Sequence, residues 1–256
     1  MFFYLKKWLL LQKMKGDNFT CPICKMNLKK FVPLPEQYYA GPNINNIQYF
    51  ATDCETINIE NYNCPKCGAS DRERLYAAYF DLFADHIPIG SSLIHFAPES
   101  ALSNYLRSQD KFKYLTADLL MENVDVKVDI TNMSLLTDDM FDIFICSHIL
   151  EHIENDMLAI KELHRILKPG GWGILMVPII TNIDISYEDP SKRTPEERKY
   201  YFGQEDHVRV YAKQDFINKV RNVGFNLDQL KENDFGSSIF KRYGITPKSV
   251  LYIVKK

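Results

Sequence analysis

The chain lacks the features that mark membrane, fibrous and disulfide-rich proteins. Its 256 residues contain no run of about 18 apolar residues, the length that a bilayer-spanning helix needs. Neither an internal repeat nor a low-complexity tract occurs. Six cysteines are too few for a disulfide scaffold in a chain of this length. We therefore predict a globular protein in a reducing compartment, the cytoplasm.

Neither sign of charge is in marked excess. The 31 basic and 33 acidic residues give a net charge of −2, whereas proteins dedicated to nucleic acids usually carry a basic excess. Nucleic acid is therefore a disfavoured partner. Hydrophobic residues make up 46% of the chain and aromatic residues 13%. Such a chain buries enough apolar surface to offset the entropy lost on ordering, which excludes disorder as its main state.

The first 19 residues form an apolar N-terminal arm. Residues 1–11 are rich in leucine and aromatic side chains but are interrupted by Lys6 and Lys7. They lack the basic, apolar and small-residue order of a signal peptide. Two interpretations stay open. We favour a helix that buries its apolar face against the domain or against a second copy in a homodimer; the other is contact with a membrane surface.

Two C-x-x-C pairs indicate a structural metal site within residues 20–70. Cys21 with Cys24, and Cys64 with Cys67, each present two thiolates to one point, and two such turns complete a tetrahedron around zinc. Four cysteine ligands leave no open position for a substrate, so the predicted role of the zinc is structural. The pairs lie further apart than the usual 15 to 20 residues or so. Cys54 lies between them and is an alternative ligand.

From about residue 71 the chain alternates helical patterns with short apolar runs, which is typical of βαβ units. Ser70 and Glu73 form a capping box that opens a helix. We predict strands over 92–96, 112–116, 141–146, 173–177 and 249–254, and helices over 100–108, 155–167 and 213–223. This order predicts an α/β fold with a doubly wound, mostly parallel sheet and a ligand site at the carboxyl ends of the strands.

Two motifs in this region resemble a known family. Residues 146–153, with Leu150-Glu151-His152 at their centre, are followed by the Leu-Lys-Pro-Gly-Gly stretch of 167–171. The pair resembles class I S-adenosylmethionine-dependent methyltransferases, in particular the type 11 group. The resemblance runs from about Ser91 to Val177 and more loosely to the C-terminus. It implies a seven-stranded Rossmann-like sheet, S-adenosylmethionine as cofactor, and a methyltransferase domain over residues 71–256.

The first cofactor motif of this family is altered. Where the family has an acidic residue and a Gly-x-Gly-x-Gly turn, residues 95–101 read His-Phe-Ala-Pro-Glu-Ser-Ala. Ala97 and Ala101 stand at the outer glycine positions and Glu99 at the middle one. Alanine is the next smallest residue, so close approach of the backbone to the cofactor is retained. The resemblance implies cofactor contacts by His95, Ala97, Glu99 and Ala101, with Glu99 facing the cofactor's amino group.

Other cofactor residues follow from the later strands. Asp118 ends the second strand, where the resemblance implies that its carboxylate accepts both ribose hydroxyls. Asp129 and Ile130 resemble the pair that contacts adenine, with the Asp accepting from the exocyclic amine. Ser147 follows the fourth strand and is expected to line the cofactor site.

Three residues after that strand are candidates for work on the acceptor. His148, Glu151 and His152 are spaced to share one face of a helical turn. His148 or His152 would act as a general base. A subset of the family, the ubiquinone-type O-methyltransferases and the small-RNA 3′-end methyltransferases, has Glu-x-x-Glu-His here and binds a divalent metal. This chain has His in place of the first Glu, and both alternatives stay open.

A second candidate acceptor site lies after the fifth strand. Residues 203–211 resemble the Gly-Gln-x-Asp-His-x-Arg-x-Tyr stretch of relatives of this group. On that basis His207 is a further candidate base, and Arg209 and Tyr211 are candidate acceptor-binding residues. The alternative is a surface loop held by an ion pair between Asp206 and Arg209.

The favoured function is methylation, on oxygen, of a small molecule or a glycan. The resemblance extends to bacterial enzymes found with surface-polysaccharide biosynthesis. An RNA base methyltransferase is the second hypothesis, because some of those enzymes also begin with Phe-x-Cys-Pro-x-Cys and a zinc module. Arg72 and Arg74, with Lys29 and Lys30, would then form a basic patch. A non-enzymatic cofactor-binding protein is the third, and it requires that the altered motif has lost its ligand.

Overall fold

The computed structural model describes residues 11–256, apart from the side chain of Ala84. The predictions for the arm of residues 1–11 therefore fall almost entirely outside the described residues. Residues 11–14 are helical, and Met14 is buried against the module that follows. Across residues 11–256, no helix combines the length and the apolar character needed to cross a membrane.

Strands and helices alternate after a strand-rich N-terminal part. The strands are β1 (Lys15–Thr20), β2 (Asn27–Leu28), β3 (Ala40–Ile44), β4 (Ile47–Phe50), β5 (Ser91–Phe96), β6 (Phe112–Asp118), β7 (Val126–Lys127), β8 (Phe141–Ser147), β9 (Leu167–Met176), β10 (Ile179–Ile180), β11 (Tyr187–Glu188), β12 (Arg209–Ala212), β13 (Asn226–Leu230) and β14 (Leu251–Lys255). The helices are α1 (Asp71–Phe83), α2 (Ser100–Arg107), α3 (Asp156–Ile166), α4 (Pro195–Phe202), α5 (Lys213–Asn222), α6 (Glu232–Phe235) and α7 (Ser237–Tyr243).

The main sheet has seven strands in the order β13-β14-β9-β8-β5-β6-β7. Strands β5 to β9 pair in parallel, while β14 runs antiparallel to both β9 and β13. The strand order reverses at β5: strands β6 and β7 lie on one side of it, and β8 and β9, which follow in the chain, lie on the other. This confirms the predicted doubly wound, mostly parallel, Rossmann-like sheet. It also places the ends of β5 and β8 side by side at the switch point, where ligands bind in such folds.

The central strands are long apolar runs because helices cover both faces of the sheet. In β8 every residue except Asp142 is buried. We predicted a strand that starts at Gly173, after the Leu-Lys-Pro-Gly-Gly stretch. Strand β9 instead starts at Leu167 and includes that stretch, with a register irregularity against β8. A Cβ atom at Gly173 would lie 2.4 Å from the Phe144 ring. Glycine therefore lets β9 and its neighbour pack closely at that point.

The capping box at the start of α1 forms as predicted. The Ser70 backbone N–H donates to Glu73 Oε2 at 2.7 Å, and the Glu73 N–H donates to Ser70 Oγ at 3.3 Å. The remaining oxygen, Glu73 Oε1, accepts from the Leu102 N–H in the first turn of α2 at 3.3 Å. Helices α1 and α2 are thus joined at their N-terminal ends, beside the turn that follows β5.

Arg74 joins the N-terminal module to the sheet domain. It is fully buried, and its guanidinium lies 3.7 Å from the centre of the Phe31 ring. All of its hydrogen bonds go to backbone carbonyls, those of Asn61, Tyr62, Ala69, Tyr243 and Gly244. The basic patch that we considered for Arg72, Arg74, Lys29 and Lys30 therefore loses Arg74, whose charge is enclosed by the protein.

Two segments pack together beyond the carboxyl end of β9. One is the β3–β4 hairpin with the residues that follow it, and the other is the insertion of residues 179–212, which carries the small sheet β10-β12-β11 and α4. Cys54 forms a β-bridge with Ile180, and the Thr181 N–H donates to Asp53 O at 2.9 Å. Both segments share one apolar cluster, Ile44, Tyr49, Ile180, Phe202 and Val210. They lie at the edge of the sheet where the candidate site is expected.

Candidate functional site

The four predicted cysteines converge. The Sγ atoms of Cys21 and Cys67 lie 3.7 Å apart, as do those of Cys24 and Cys64, and all four lie within 4.8 Å of one another. Thiolates placed about 2.3 Å from a tetrahedral metal are about 3.8 Å from each other, whereas a disulfide holds its sulfurs about 2.05 Å apart. The spacing therefore fits a tetrahedral four-thiolate metal site and does not fit disulfides.

The two turns that carry these cysteines have the same construction. The Lys25 N–H donates to Cys21 O and the Gly68 N–H to Cys64 O, each at 2.9 Å. Lys25 and Gly68 both adopt left-handed backbone angles, with φ of 54° and 81°. Gly68, directly after the second pair, thus adopts a conformation that the turn needs and that glycine takes without strain.

The turn after β5 keeps the left-handed backbone conformation that glycine favours, although the altered motif has Ala97 at this position. Ala97 adopts a left-handed conformation with φ of 44°, and its N–H donates to Ala117 O at 2.9 Å. Such a conformation costs an alanine roughly 1–2 kcal/mol, and strain of this kind is concentrated at functional sites. Ala97 therefore adopts, at this cost, the turn conformation that a glycine would adopt without strain. Ala101, also predicted to contact the cofactor, is buried in α2 against the cysteine module.

His95 and Glu99 form a buried pair. His95 is fully buried, with Nε2 2.9 Å from Glu99 Oε2 and Nδ1 2.8 Å from the Tyr114 hydroxyl. Since both ring nitrogens are occupied by protein groups, the His95 side chain orients Glu99, and contact of His95 with a cofactor stays a prediction. Burial opposes ionisation of Glu99, but the hydrogen bond from His95 and the charges of His95 and Arg72 keep the pKa of Glu99 below its usual value.

Asp118 and Asp129 lie at the predicted turns. Asp118 Oδ1 accepts from the Leu120 and Met121 N–H groups at 2.6 and 2.7 Å, which fixes the carboxylate at the end of β6. No hydrogen bond to Oδ2 is found within residues 11–256, so this oxygen is available to a ligand. Asp129 is exposed and accepts from the Thr131 N–H, while Ile130 is buried in the main core.

The residues after β8 surround a buried carboxylate. Glu151 is 1% exposed, and neither of its oxygens has a hydrogen-bond partner in the described structure. His148 Nδ1 lies 3.4 Å from Glu151 Oε1, and His152 Nε2 lies 4.0 Å from it. Burial raises the pKa of Glu151 to about 8. A carboxylate left without a partner in the interior is costly, and its presence points to a proton or cation that it serves.

His148 is held in an unusual conformation beside this carboxylate. Its backbone φ is 55°, a left-handed value that is uncommon outside glycine, and its N–H donates to Met176 O at 2.8 Å. Burial lowers the pKa of His148 well below the ordinary value, so the ring is neutral near pH 7. The adjacent Ser147 hydroxyl is hydrogen-bonded to the Tyr76 hydroxyl at 2.8 Å, which fixes the end of β8 against α1.

Two further histidines, His152 and His207, lie beside Glu151. His207 Nδ1 lies 3.3 Å from the Phe202 carbonyl, which can only accept, so Nδ1 carries the proton and Nε2 is free. His152 Nδ1 pairs with Asp206 Oδ2 at 3.1 Å, which leaves its Nε2 toward Glu151. The ligand atoms of Glu151, His152 and His207 lie within 4.8 Å of one another. Such a group can hold a divalent metal, and each histidine already has the outer partner that metal ligands require.

Arg209 and Tyr211, which we predicted to bind the acceptor, are engaged by groups within the protein. Both are buried, and Arg209 is only 2% exposed. The Tyr211 hydroxyl donates to Asp156 Oδ2 at 2.6 Å. The Arg209 guanidinium donates to the carbonyls of Leu150 (2.7 Å), Ile153 and Glu154 (2.9 Å) and pairs with Glu188 (2.9 Å) and Asp156 (3.6 Å). These contacts fasten β12 to the turn that carries Glu151. The alternative of a segment held by a charge pair is thus closer to the structure, with Asp156 and Glu188 in place of Asp206.

Replacement of Arg209 should therefore affect folding. Arg209→Ala leaves the buried carbonyls of Leu150, Ile153 and Glu154 without their guanidinium donor and removes one of the two cations paired with Asp156, the other being Lys219. We expect the free energy of unfolding to fall by about 3–5 kcal/mol. Denaturant unfolding measures this change. Arg198→Ala is the matched control, because Arg198 pairs with the exposed Glu154 carboxylate at 3.2 Å and makes a long hydrogen bond to Lys192 O at 3.4 Å. Its loss should cost less than about 1 kcal/mol. An Arg209→Ala variant of unaltered stability would contradict this role.

Sequence reasoning missed the importance of two residues of this site. The sequence indicates Glu151 only as an alternative metal ligand, although its burial makes it the centre of the group. It indicates Arg72 only as a surface charge, yet the Arg72 side chain is 22% exposed and its Nε lies 4.0 Å from Glu99 Oε1. Nothing in the local pattern could have revealed this, because Arg72 precedes the cofactor turn by a whole helix.

Comparisons with known proteins found a matching family model and similar solved structures. Residues 90–175 match the family model described as a methyltransferase domain, which is close to the segment that carries the resemblance above. No curated protein matched the sequence. Similar solved structures include a SAM-dependent methyltransferase from Archaeoglobus fulgidus, with 13% identity over 75% of this chain and 96% of the other, at a TM-score of 0.46. At this sequence identity and TM-score, the similarity carries no information about the candidate functional site.

Two other structures give similar values. A SAM-dependent methyltransferase from Aquifex aeolicus shows 15% identity over 69% of this chain and 87% of the other, at a TM-score of 0.44. The [4+2]-cyclase SpnF shows 14% identity over 71% and 80%, at 0.46. The family match, which spans β5 to β9, and the seven-stranded order of the sheet together make this chain an enzyme of the S-adenosylmethionine-dependent methyltransferase kind.

Proposed function

We propose that the protein transfers a methyl group from S-adenosylmethionine to a hydroxyl oxygen of a small molecule or a glycan residue. The observation that carries this proposal is the buried, unpartnered carboxylate of Glu151 beside His148, at the carboxyl end of β8. A hydroxyl acceptor must lose its proton as the new bond forms, and a buried acid–base group within reach of the cofactor site supplies that function.

The cofactor would lie across the ends of β5 and β6. The turn at Ala97 brings the backbone close to it, and the free oxygen of Asp118 accepts from the ribose hydroxyls. S-adenosylmethionine supplies an activated methyl group when bound. The chain's own task is then to hold the acceptor in line, to exclude water and to take up one proton.

Proton uptake is assigned to the pair of His148 and Glu151. The neutral His148 ring accepts the proton of the acceptor hydroxyl. Above pH about 8, where Glu151 is ionised, its carboxylate stabilises the resulting imidazolium from 3.4 Å away. The strained backbone of His148 fixes the ring at the switch point of the sheet. His152 and His207 complete the wall of the site on the side of the insertion.

A divalent metal is the second way in which this group could activate a hydroxyl. The observation that favours it is the convergence of Glu151, His152 and His207. Titration with Mn²⁺ followed by electron paramagnetic resonance separates the two, because Mn²⁺ prefers carboxylate and imidazole ligands to thiolates. Binding that is lost in His207→Ala supports the metal. An absence of binding leaves the base mechanism.

The surroundings of the site favour a small acceptor over RNA. The β3–β4 hairpin and the insertion of residues 179–212 pack on each other at the edge of the sheet where the acceptor must enter. Arg74, one of the four residues considered for a nucleic-acid patch, is enclosed. We also infer that the cysteine group holds a structural zinc, on the strength of the sulfur spacing. A role in polysaccharide biosynthesis and a homodimer stay predictions.

Methyl transfer to defined acceptors tests the proposal. The purified protein is incubated with S-adenosylmethionine carrying a labelled methyl group and with sugar nucleotides, free hydroxylated sugars or unmodified RNA in separate reactions. We expect label in a hydroxylated small acceptor, in an alkali-stable ether linkage. Label confined to RNA bases would instead establish the second hypothesis.

Asp118→Ala is expected to weaken cofactor binding by about 1.5–3 kcal/mol, the usual value for hydrogen bonds to a charged group. The physical reason is the loss of the free carboxylate oxygen at the end of β6. Isothermal titration with S-adenosylhomocysteine measures the change. Asp125→Ala, which removes a more exposed carboxylate bound to Thr116 and Arg107, is the control. Equal affinities in wild type and Asp118→Ala would place the ribose elsewhere.

A further inference from the structure

The ring of His207 depends on the end of helix α4 for its orientation. The helix ends at Phe202, and the Phe202 carbonyl accepts from His207 Nδ1 at 3.3 Å. Burial and the neighbouring His152 lower the pKa of His207 to about 4, so near pH 7 the ring is neutral and carries one proton. The hydrogen bond to Phe202 therefore decides which ring nitrogen is left for the site.

The end of α4 is held by the β3–β4 hairpin. Phe202 is 3% exposed and shares one apolar cluster with Ile44 of β3 and Tyr49 of β4. The next residue, Gly203, ends the helix with a left-handed φ of 92°, and a Cβ atom there would lie 3.3 Å from Pro42 Cδ. The end of the helix and strand β3 are thus in close contact at the residue that precedes the turn to His207.

A second set of contacts joins the residues after the hairpin to the start of the insertion. The Glu55 N–H donates to Ile179 O at 2.9 Å, and the Asn182 side-chain amide donates to Asp53 Oδ1 at 2.9 Å. The other oxygen of Asp53 accepts from the Phe50 N–H, at the end of β4, at 2.8 Å. The hairpin is therefore attached to the insertion at two places, the start of the insertion and the end of α4.

Both sides of this contact lie outside the segment that matches the family model. The hairpin, residues 40–50, lies between the two cysteine pairs and precedes the matched residues 90–175. His207 follows them. The contact thus joins two parts of this chain that are additional to the matched segment.

We propose that the β3–β4 hairpin positions His207, with Ile44 and Tyr49 as the positioning residues, and that through His207 it determines how the acceptor is held. The inference rests on the proposed function, in which His207 forms part of the wall of the acceptor site. An imidazole binds a partner in a defined way only when one nitrogen is fixed by the protein and the other faces the ligand. The residues between the cysteine pairs then act on the acceptor and not on the cofactor.

Two alanine substitutions in the hairpin test the proposal. Ile44 and Ile47 are cross-strand neighbours, but Ile44 is buried in the cluster whereas Ile47 is 56% exposed. Nuclear magnetic resonance of protein with ¹⁵N-labelled histidine reports which ring nitrogen is protonated, and His207→Gln identifies the His207 signals among those of the six histidines. We expect Ile44→Ala to shift these signals from the Nδ1-protonated toward the Nε2-protonated form. Ile47→Ala, the matched control, should leave them unchanged.

Kinetics and calorimetry on the same variants separate positioning from a general loss of structure. The acceptor is the sugar nucleotide or free sugar that the wild-type protein methylates. We expect Ile44→Ala to lower kcat/KM for this acceptor about tenfold or more, while the affinity for S-adenosylhomocysteine stays within about twofold. A displacement of about 1 Å in a positioned group is enough for such a loss.

Each result supports the proposal or overturns it. His207 signals in Ile44→Ala that match the wild type, or an equal shift in Ile47→Ala, overturn it. A shift without loss of kcat/KM, or with an equal loss of S-adenosylhomocysteine affinity, also overturns it. A wild-type chain that binds no S-adenosylhomocysteine overturns the proposed function, whereas the histidine signals test the positioning of His207 independently of that function.

A second pair of variants replaces Ile44→Ala if that protein fails to fold. Asn182→Asp sets two carboxylates against each other at Asp53 and should shift the His207 signals in the same direction. Adding Asp53→Asn restores one amide and one carboxylate, and the signals should return to their wild-type positions. His207 signals that do not respond to Asn182→Asp, or that do not return in the double variant, overturn the proposal.

Discussion

Glu151→Gln should lower kcat at least about 100-fold while the affinity for S-adenosylhomocysteine stays within about twofold. The substitution keeps the shape of the side chain but removes an ionisable group whose negative charge, present above its pKa of about 8 or beside a bound metal, stabilises a protonated His148 or that metal. General base catalysis is worth roughly 100- to 10,000-fold. The effect should be expressed in the chemical step, because Glu151 lies beyond the residues assigned to the cofactor. Single-turnover methyl transfer with a saturating acceptor measures it.

Glu154→Gln is the matched control for this prediction. Glu154 lies three residues further along the same turn, but its side chain is 74% exposed and pairs only with Arg198. Its replacement should change kcat less than about twofold. A Glu151→Gln variant that keeps wild-type turnover, or that loses cofactor affinity in parallel with turnover, would show that Glu151 does not support proton uptake by His148.

Cys67→Ser should destabilise the whole chain. Structural zinc sites contribute folding free energy directly, and loss of one thiolate from four removes much of it. The cysteine group packs against Phe31 and Ala101, so its collapse would disturb α2 and the cofactor turn as well as the module itself. We expect a large loss of folded yield and a melting temperature lower by about 10 °C or more, which corresponds to several kcal/mol in a chain of this size. Thermal melting and metal analysis of the same samples test this.

Cys54→Ser separates a metal effect from a general effect of removing a thiol. Cys54 lies outside the four-cysteine group, and its backbone pairs with Ile180 in the insertion. The substitution should leave one zinc per chain and shift the melting temperature by only a few degrees. A Cys67→Ser protein that is as stable as wild type, or a wild-type protein free of zinc after purification without chelators, would argue against a structural metal in this module.

The sheet could be predicted because its signals are local and repeated. Apolar runs such as Phe141–Ser147, a capping box at Ser70 and glycines after Leu167 mark elements whose type does not depend on distant contacts. Short helices and strands were harder to predict from the sequence. Helix α4 was missed although Thr194 and Glu197 form a capping box, because the segment around it is polar and gives no apolar period.

The members of the site could be predicted, but their hydrogen-bond partners could not. The cysteines follow from motif spacing, and Asp118 and His207 from the resemblance to the methyltransferase group. Arg209 has the residue type of an anion clamp, and only the structure shows that buried carbonyls of the turn after β8 occupy its guanidinium. His95 was likewise expected to face the cofactor, and its two hydrogen bonds to protein groups could not be read from its position in a strand. Long-range hydrogen bonding decides both cases.

Calorimetric titration of the zinc-replete protein with S-adenosylhomocysteine tests most directly whether the altered turn at Ala97 still forms a working cofactor site. Asp118 and the strand ends of β5 and β8 would surround the ligand there. We predict saturable binding of one molecule per chain. No heat of binding, together with an unchanged melting temperature at millimolar ligand, would contradict a cofactor site at this turn.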